Sequence, residues 1–339
     1  MSEQVNVGVI GGGAWGTALA IHAARKGCDT LLWAREEQVV ADIESDRVNR
    51  IFLPGFQVPA KLHATTDLER CVRESTLLLS VVPTPFVGAV IGGITEWLTD
   101  DHIIVSCSKG IQNETLETVD EILERVLPRR YHAQLAYLSG PSFAKEVVLE
   151  IPTAVTVASH IAGVAREVQQ LMSTNRFRCY ASRDVVGVEM GGALKNVMAI
   201  AVGAADGLGF GHNARAGLIT RGLAEVTRLA VRRGANPLTL QGLAGIGDLV
   251  LTCTGELSRN RTVGYRLGQG ETLEHILGST VTVAEGVLTT RSAHMLAVKL
   301  DVDAPIIENT YRVLYENLPL LQGLENLMTR PLKDELVMG

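Results

Sequence analysis

The stretch "GVIGGGAWGTALAIHAARKG" constrains this chain more than any other. It sets Gly11-x-Gly13-x-x-Gly16 between a short apolar run, "VNVGVI", and a helical pattern that stops at Gly27; "CDTLLWA" then begins a second apolar run. Alone, a glycine triplet of this spacing is weak evidence. Inside a complete strand–helix–strand unit of about 30 residues it specifies a dinucleotide site. The glycines permit a tight turn, let backbone approach a pyrophosphate, and allow the helix to pack closely on the sheet. Free N–H groups in the first turn of the helix then supply the anion contacts. Gly11, Gly13 and Gly16 are therefore candidate cofactor residues, with a ligand-free glycine turn as the alternative.

The pattern repeats through the first half. "TLLLSVV", "HIIVSCS", "QLAYLS", "TAVTVA" and "FRCYAS" are apolar strand runs, several of them separated by amphipathic stretches such as "VDEILERVL" and "AGVAREVQQLM". Continuous apolar strands between helices indicate a parallel sheet covered on both faces. Beyond about residue 186 the strand runs give way to long helical stretches. The chain's 339 residues are enough for about two domains at roughly 100–200 residues each. The expected class is α/β: an N-terminal Rossmann-type parallel sheet (1–185, dinucleotide-binding) and a C-terminal all-helical domain (186–339, substrate-binding and catalytic).

An NAD-selective site commonly carries Asp or Glu at the end of the second strand. This sequence has Trp33-Ala34-Arg35 there, and Glu36 and Glu37 suit the start of the next helix, where acidic groups favour the dipole. Arg35 could meet a 2′-phosphate, which favours NADP over NAD, or could simply be solvated. Three later strand ends carry polar residues on the edge where open parallel sheets bind ligands. They are Pro83-Thr84, Lys109-Gly110 and Ser139-Gly140-Pro141-Ser142. Lys109 is the best of these for an anionic ligand.

In the second half, Lys195 stands in a run from Val186 to Ala205 that is otherwise small or apolar apart from Glu189 and Asn196. By length that run could span a membrane, but its Gly, Ala and Asn content and its two charges favour a buried core helix. Burying Lys195 uncompensated would cost several kcal/mol. It requires an acidic partner, a bound anion or a depressed pKa, unless the side chain snorkels to water. A lysine tuned towards neutrality is suited to exchange a proton with a hydroxyl or carbonyl. Asp248 in "GLAGIGDLVLTC" is a candidate partner, and Ser258-Arg259-Asn260-Arg261 offers a charged fork and neutral donors for a phosphate. A solvated basic loop is the alternative.

Other classes recede. The net charge of −6 and the absence of a basic run argue against nucleic acid. Five scattered cysteines without a CxxC pair fit reduced thiols in the cytoplasm rather than a disulfide frame, and neither they nor the eight histidines show metal-ligand spacing. The N-terminus lacks a signal peptide's pattern, and "KDEL" at 333–336 is followed by three residues, so it is no retention address.

Together, "GGGAWGTALA", "CSKGI", "SGPSFAKEV", "GALKNVMAIAVGAADGLGFGHN", "GIGDLVLTCTGELSRN" and "VTVAEGV" resemble, in order, the motifs of the bacterial NAD(P)-dependent glycerol-3-phosphate dehydrogenase family. The resemblance runs from about residue 5 to 330. It implies interconversion of dihydroxyacetone phosphate and sn-glycerol 3-phosphate for glycerophospholipid synthesis, usually by a homodimer. By motif match it makes Lys195 the proton acceptor or donor, with Asn196 and Thr252 close to the reacting centre. It puts Lys109, Gly140, Ser142, Lys195, Asp248, Ser258, Arg259 and Asn260 at substrate positions. Trp15, Arg35, Lys109, Ala144, Arg259, Val283 and Glu285 fall at cofactor positions, where Arg35 is the most variable transfer.

Overall fold

The computed structural model describes residues 5–279, 284–332 and 334–335. Val283 and the ends of the "KDEL" run fall outside them. Eight strands form one sheet: β1 (Asn6–Ile10), β2 (Asp29–Trp33), β3 (Leu62–Thr65), β4 (Leu77–Ser80), β5 (Ile103–Ser106), β6 (Leu135–Ser139), β7 (Thr153–Ala158) and β8 (Phe177–Ser182). Their order is β3-β2-β1-β4-β5-β6-β7-β8. The pairs from β3 to β6 are parallel, and β4, β5 and β6 are buried along their whole length. Such strands can be wholly apolar because helices cover both faces.

Two features differ from the sequence reading. β3, "LHAT", is too short and mixed to stand out as a strand. β7 runs antiparallel to β6, and β8 parallel to β7, so the last two strands are reversed against the other six. A parallel neighbour needs a crossover that carries the chain back along the sheet, usually through a helix. The link after β6 holds only the five-residue Ala144–Val148 helix, about 7.5 Å long, and the chain turns back instead.

From Val185 the described residues are helical. The 23-residue helix Val185–Gly207 is long and apolar enough by composition to cross a membrane, yet nearly all of it is buried inside the protein. Helices Gly211–Arg232, Asp248–Thr254, Arg259–Gly268 and Glu285–Leu300 surround it. Its first turns also enter the core on one face of the sheet, where Val185 and Val188 pack with Ile104 and Tyr137. The helix is therefore both the axis of the helical region and its seat on the sheet.

Candidate active site

Chain order reverses between β1 and β4, and there the strand ends open a crevice for ligands. The glycine turn sits at this point. Gly11 has φ +128°, and a Cβ on it would come within 2.7 Å of the Val81 carbonyl oxygen, so only glycine fits. A Cβ on Gly16 would lie 1.9 Å from the Gly11 oxygen, whereas one on Gly13 would meet nothing within 4 Å. Gly16 thus serves packing, and Gly13, at the N-cap of the Ala14–Lys26 helix, faces open space. Trp15 Nε1 beside it is a buried donor with no protein partner. Open backbone at a helix N-terminus with an unsatisfied donor fits a dinucleotide pyrophosphate. The sequence reading missed what holds this turn. Asn49 donates to the Gly12 oxygen (2.9 Å) and the Thr17 hydroxyl (2.8 Å), and accepts from the Phe52 N–H. An isolated asparagine 37 residues away carries no local signal.

Arg35 follows β2 on the same edge, highly exposed, its guanidinium 3.3 Å from Glu36 at the N-cap of helix Glu37–Asp46. Ala144 opens the short helix after β6. Gly140, with φ +140°, turns the chain out of β6, and the Ser142 hydroxyl donates to its carbonyl at 2.9 Å.

The helix Val185–Gly207 lies across the ends of β5 and β6. A Cβ on Gly192 would be 2.5 Å from Ser139 Oγ and 3.6 Å from the Lys109 side chain. That close seating brings the two lysines together on one carboxylate. Lys195 Nζ donates to Asp248 Oδ1 at 2.5 Å and to the Thr252 hydroxyl at 3.0 Å. Lys109 Nζ donates to Asp248 Oδ2 at 2.8 Å and to the Gly140 carbonyl at 3.2 Å. The Thr252 hydroxyl donates to the Asp248 carbonyl, which leaves its lone pairs for Lys195. Asp248 is 1% exposed. It follows the π-helical turn Leu243–Gly247, which delivers it to the front of helix Asp248–Thr254.

The electrostatics are lopsided. Burial pulls the Lys195 ammonium down to about 8; Asp248 opposes this, and Lys109 adds to it. Burial would favour a neutral Asp248, but the two ammonium groups outweigh it and hold the carboxyl below its usual range. With both lysines protonated, two positive charges face one negative charge. Glu285, at the start of helix Glu285–Leu300, is pushed up by burial and drawn down less strongly by Arg259, Lys109 and Lys195.

The Ser258–Arg261 run, which forms a helix N-terminus and not a loop, is carried by a second close contact. Gly203 and Gly264 let helices Val185–Gly207 and Arg259–Gly268 cross in backbone contact: a Cβ on Gly264 would lie 2.0 Å from the Ile200 oxygen. Ser258 caps the second helix by accepting from the Arg261 N–H at 3.2 Å. Asn260 Nδ2 donates to Asn196 Oδ1, and its Oδ1 accepts from the Gly286 N–H, both at 2.9 Å. One asparagine thereby ties the lysine helix, the start of helix Arg259–Gly268 and the start of helix Glu285–Leu300. Arg261 is committed elsewhere. It forks onto Asp206 Oδ2 at 3.0 and 2.7 Å, while Arg215 takes Oδ1 at 2.9 Å. Asp206, just past the apolar run, was not singled out in the sequence although it pins helix Arg259–Gly268.

Comparison with known proteins agrees with this arrangement. Residues 6–165 match the family model for the N-terminus of NAD-dependent glycerol-3-phosphate dehydrogenase, and residues 184–325 match the one for its C-terminus. A Geobacter sp. (strain M21) relative named glycerol-3-phosphate dehydrogenase [NAD(P)+] is 54% identical over 335 residues, 99% of each chain. The structure of glycerol-3-phosphate dehydrogenase from Coxiella burnetii superposes with TM-score 0.91 at 37% identity, covering 96% of this chain and 99% of that one. The Saccharomyces cerevisiae enzyme gives 0.82 at 26% identity, covering 97% and 100%. A glycine turn built for a dinucleotide, two lysines on one buried carboxylate and full-length similarity converge: this chain belongs to the NAD(P)-dependent glycerol-3-phosphate dehydrogenase family and is an oxidoreductase.

Proposed function

We propose that the chain reversibly reduces dihydroxyacetone phosphate to sn-glycerol 3-phosphate for glycerophospholipid synthesis, with Lys195 exchanging the proton. The carrying observation is the grip of Lys195 and Lys109 on opposite oxygens of Asp248 at the cofactor edge. A bound nicotinamide supplies or accepts the hydride. Gly11, Gly13, Gly16, Trp15, Arg35, Ala144 and Glu285 would hold that cofactor; Val283 belongs to the same motif match. As hydride reaches the ketone carbon, charge grows on its oxygen. Lys195 donates a proton there, and its lowered pKa of about 8 makes the transfer reversible near neutral pH. Lys109 stabilises the oxyanion by its charge. Asp248 and Thr252 hold the Lys195 ammonium in line. Ser258, Arg259 and Asn260, with Gly140 and Ser142 across the cleft, grip the phosphate end and Asn196 braces Asn260. Binding energy from that remote group aligns the carbonyl with the hydride donor.

Arg35 favours NADP by its charge and exposure at the end of β2. The division at 185 follows the change from strands to helices, so that 1–185 carries the cofactor and 186–339 the substrate groups. A cytoplasmic homodimer with no nucleic-acid partner completes the proposal, supported by the family resemblance and the net charge of −6. The test is oxidation of NADPH and of NADH with dihydroxyacetone phosphate added. Turnover with both and a higher kcat/KM for NADPH is expected. Activity on unphosphorylated hydroxy acids instead, or none with the phosphate ester, would reject the substrate assignment.

A further inference from the structure

Six residues before Lys195, the same helix buries a second ionisable group. Glu189 is 9% exposed, and Asp120, in the first turn of the sheet-side helix Val119–Val126, is 7% exposed. The Asp120 N–H donates to Glu189 Oε2 at 2.9 Å. The Asp120 carboxyl also acts electrostatically on Glu189, and Glu189 on it. Two adjacent buried carboxylates repel, and a proton shared between them removes one charge. The Arg233 guanidinium does not neutralise the pair, since it is engaged with Glu121. The other groups facing it are Glu121 and Glu124 on the Asp120 helix, Tyr137 on β6 and His160 beyond β7. The Thr118 hydroxyl donates to Asp120.

The proton has one favoured seat. Burial first, and then the neighbouring Asp120, push Glu189 well above the carboxylic range. Burial would raise Asp120 too, but hydrogen bonds from Glu189 and Thr118 outweigh it and hold Asp120 low. Glu189 is then a neutral acid whose carbonyl oxygen accepts the Asp120 N–H and whose O–H donates to the Asp120 carboxylate. That N–H is one of the donors a helix N-terminus leaves unsatisfied. The lysine-bearing helix therefore caps the helix on the cofactor sheet. Six residues span about 9 Å along the axis and about 240° around it, so a roll at Glu189 carries Lys195 sideways.

We propose that Glu189 is a positioning residue whose shared proton latches the Lys195 helix to the cofactor-binding half and sets the lysine beside the oxygen that takes its proton. The proposal rests on the proton-transfer reading of Lys195. A displacement of about 1 Å at a reacting group can cost about 10²-fold in rate. Glutamine reproduces the latch, since its carbonyl accepts the N–H and its amide donates to Asp120, while leucine abolishes it.

The experiment compares wild type with Glu189→Gln and Glu189→Leu by kcat, NADPH Kd and Tm from pH 5 to 9. Gln should keep kcat within about twofold; Leu should lower it at least about tenfold with NADPH Kd unchanged. Because the folded pKa of Glu189 is raised, its stabilisation is present below the unfolded value and lost as pH rises through the folded one. Tm of the Gln variant minus that of wild type should therefore grow with pH; Lys195 titrates in both and cancels. Full activity in the Leu variant, a Gln variant as slow as Leu, or a Tm difference flat in pH would overturn the proposal. Should the Leu variant not fold, the Gln variant's kcat and pH slope still decide. A wild type inert towards dihydroxyacetone phosphate would instead sink the activity reading, leaving the Tm comparison to judge the shared proton.

Discussion

One helix carries two buried ionisable clusters, and they resolve the same electrostatic problem in opposite ways. At Glu189, two carboxyl groups meet and a proton removes one charge. At Lys195, two ammonium groups meet one carboxylate, and a positive charge is left over. Burying charge is expensive unless it is paired and hydrogen-bonded. The first cluster is complete within the protein. The second is complete only when something anionic, or an oxygen gaining negative charge, enters the cleft. A surplus positive charge in a buried site is thus the physical mark of a place that receives a group bearing or gaining negative charge, as the proposed reaction requires. The balanced cluster six residues away has the mark of a latch.

The largest expected break is Lys195→Met. It removes the proposed proton donor but keeps an apolar chain of similar length, so the fold and NAD(P)H binding should survive. General acid–base catalysis is commonly worth about 10²–10⁴-fold, so kcat should fall by at least about 10²-fold. Near-normal turnover in steady-state assays would remove Lys195 from the chemistry. Asp248→Asn sharpens the same point with a smaller effect. In the proposed mechanism reduction requires protonated Lys195, whose pKa of about 8 predicts a rate that declines as pH rises through that value. Without the carboxylate that supports the ammonium, the decline should begin about one unit lower or more. A pH–kcat profile of the Asn variant coinciding with that of wild type would mean that Asp248 does not tune Lys195.

Much of this was legible in the sequence because it is local. The glycine turn is written in consecutive residues, and the change from strand runs to helical runs marks where β8 ends at Ser182 and the long helix begins at Val185. Lys195 announced itself as a charge in an apolar run. Long-range pairing could be read only in part. Asp248 stood out as a partner for Lys195, 53 residues away, but nothing near it says that Lys109, 139 residues away, takes its other oxygen. Asn49 under the glycine turn and Asp206 under Arg261 are single polar residues whose partners lie on other elements. Glu189 was visible beside Lys195 in the sequence, but its partner sits 69 residues away on the other side of the seam. The reversal of β7 and β8 was hidden because strand direction depends on whether the connection holds a helix long enough to cross the sheet, which apolar runs do not report.

Arg35 extends the comparison to a charge in water, and the expected effect is the smallest. Its side chain is 80% exposed and leans on Glu36 at 3.3 Å. Solvent and salt screen such a group, and a pair of this kind is worth about 0–1 kcal/mol. Its proposed use is to meet a docked 2′-phosphate, where a charge-assisted hydrogen bond is worth about 1.5–3 kcal/mol, or roughly tenfold and upward in affinity. Glu36, 3.3 Å from the guanidinium, would work against such a phosphate and reduce the discrimination one arginine can supply. Arg35→Asp should accordingly weaken NADPH about tenfold or somewhat more while leaving NADH nearly unchanged. Fluorescence titration of both cofactors measures this directly. Equal losses for the two would mean that Arg35 reads no 2′-phosphate, and that only the buried charges of this enzyme, not the exposed one, discriminate among ligands.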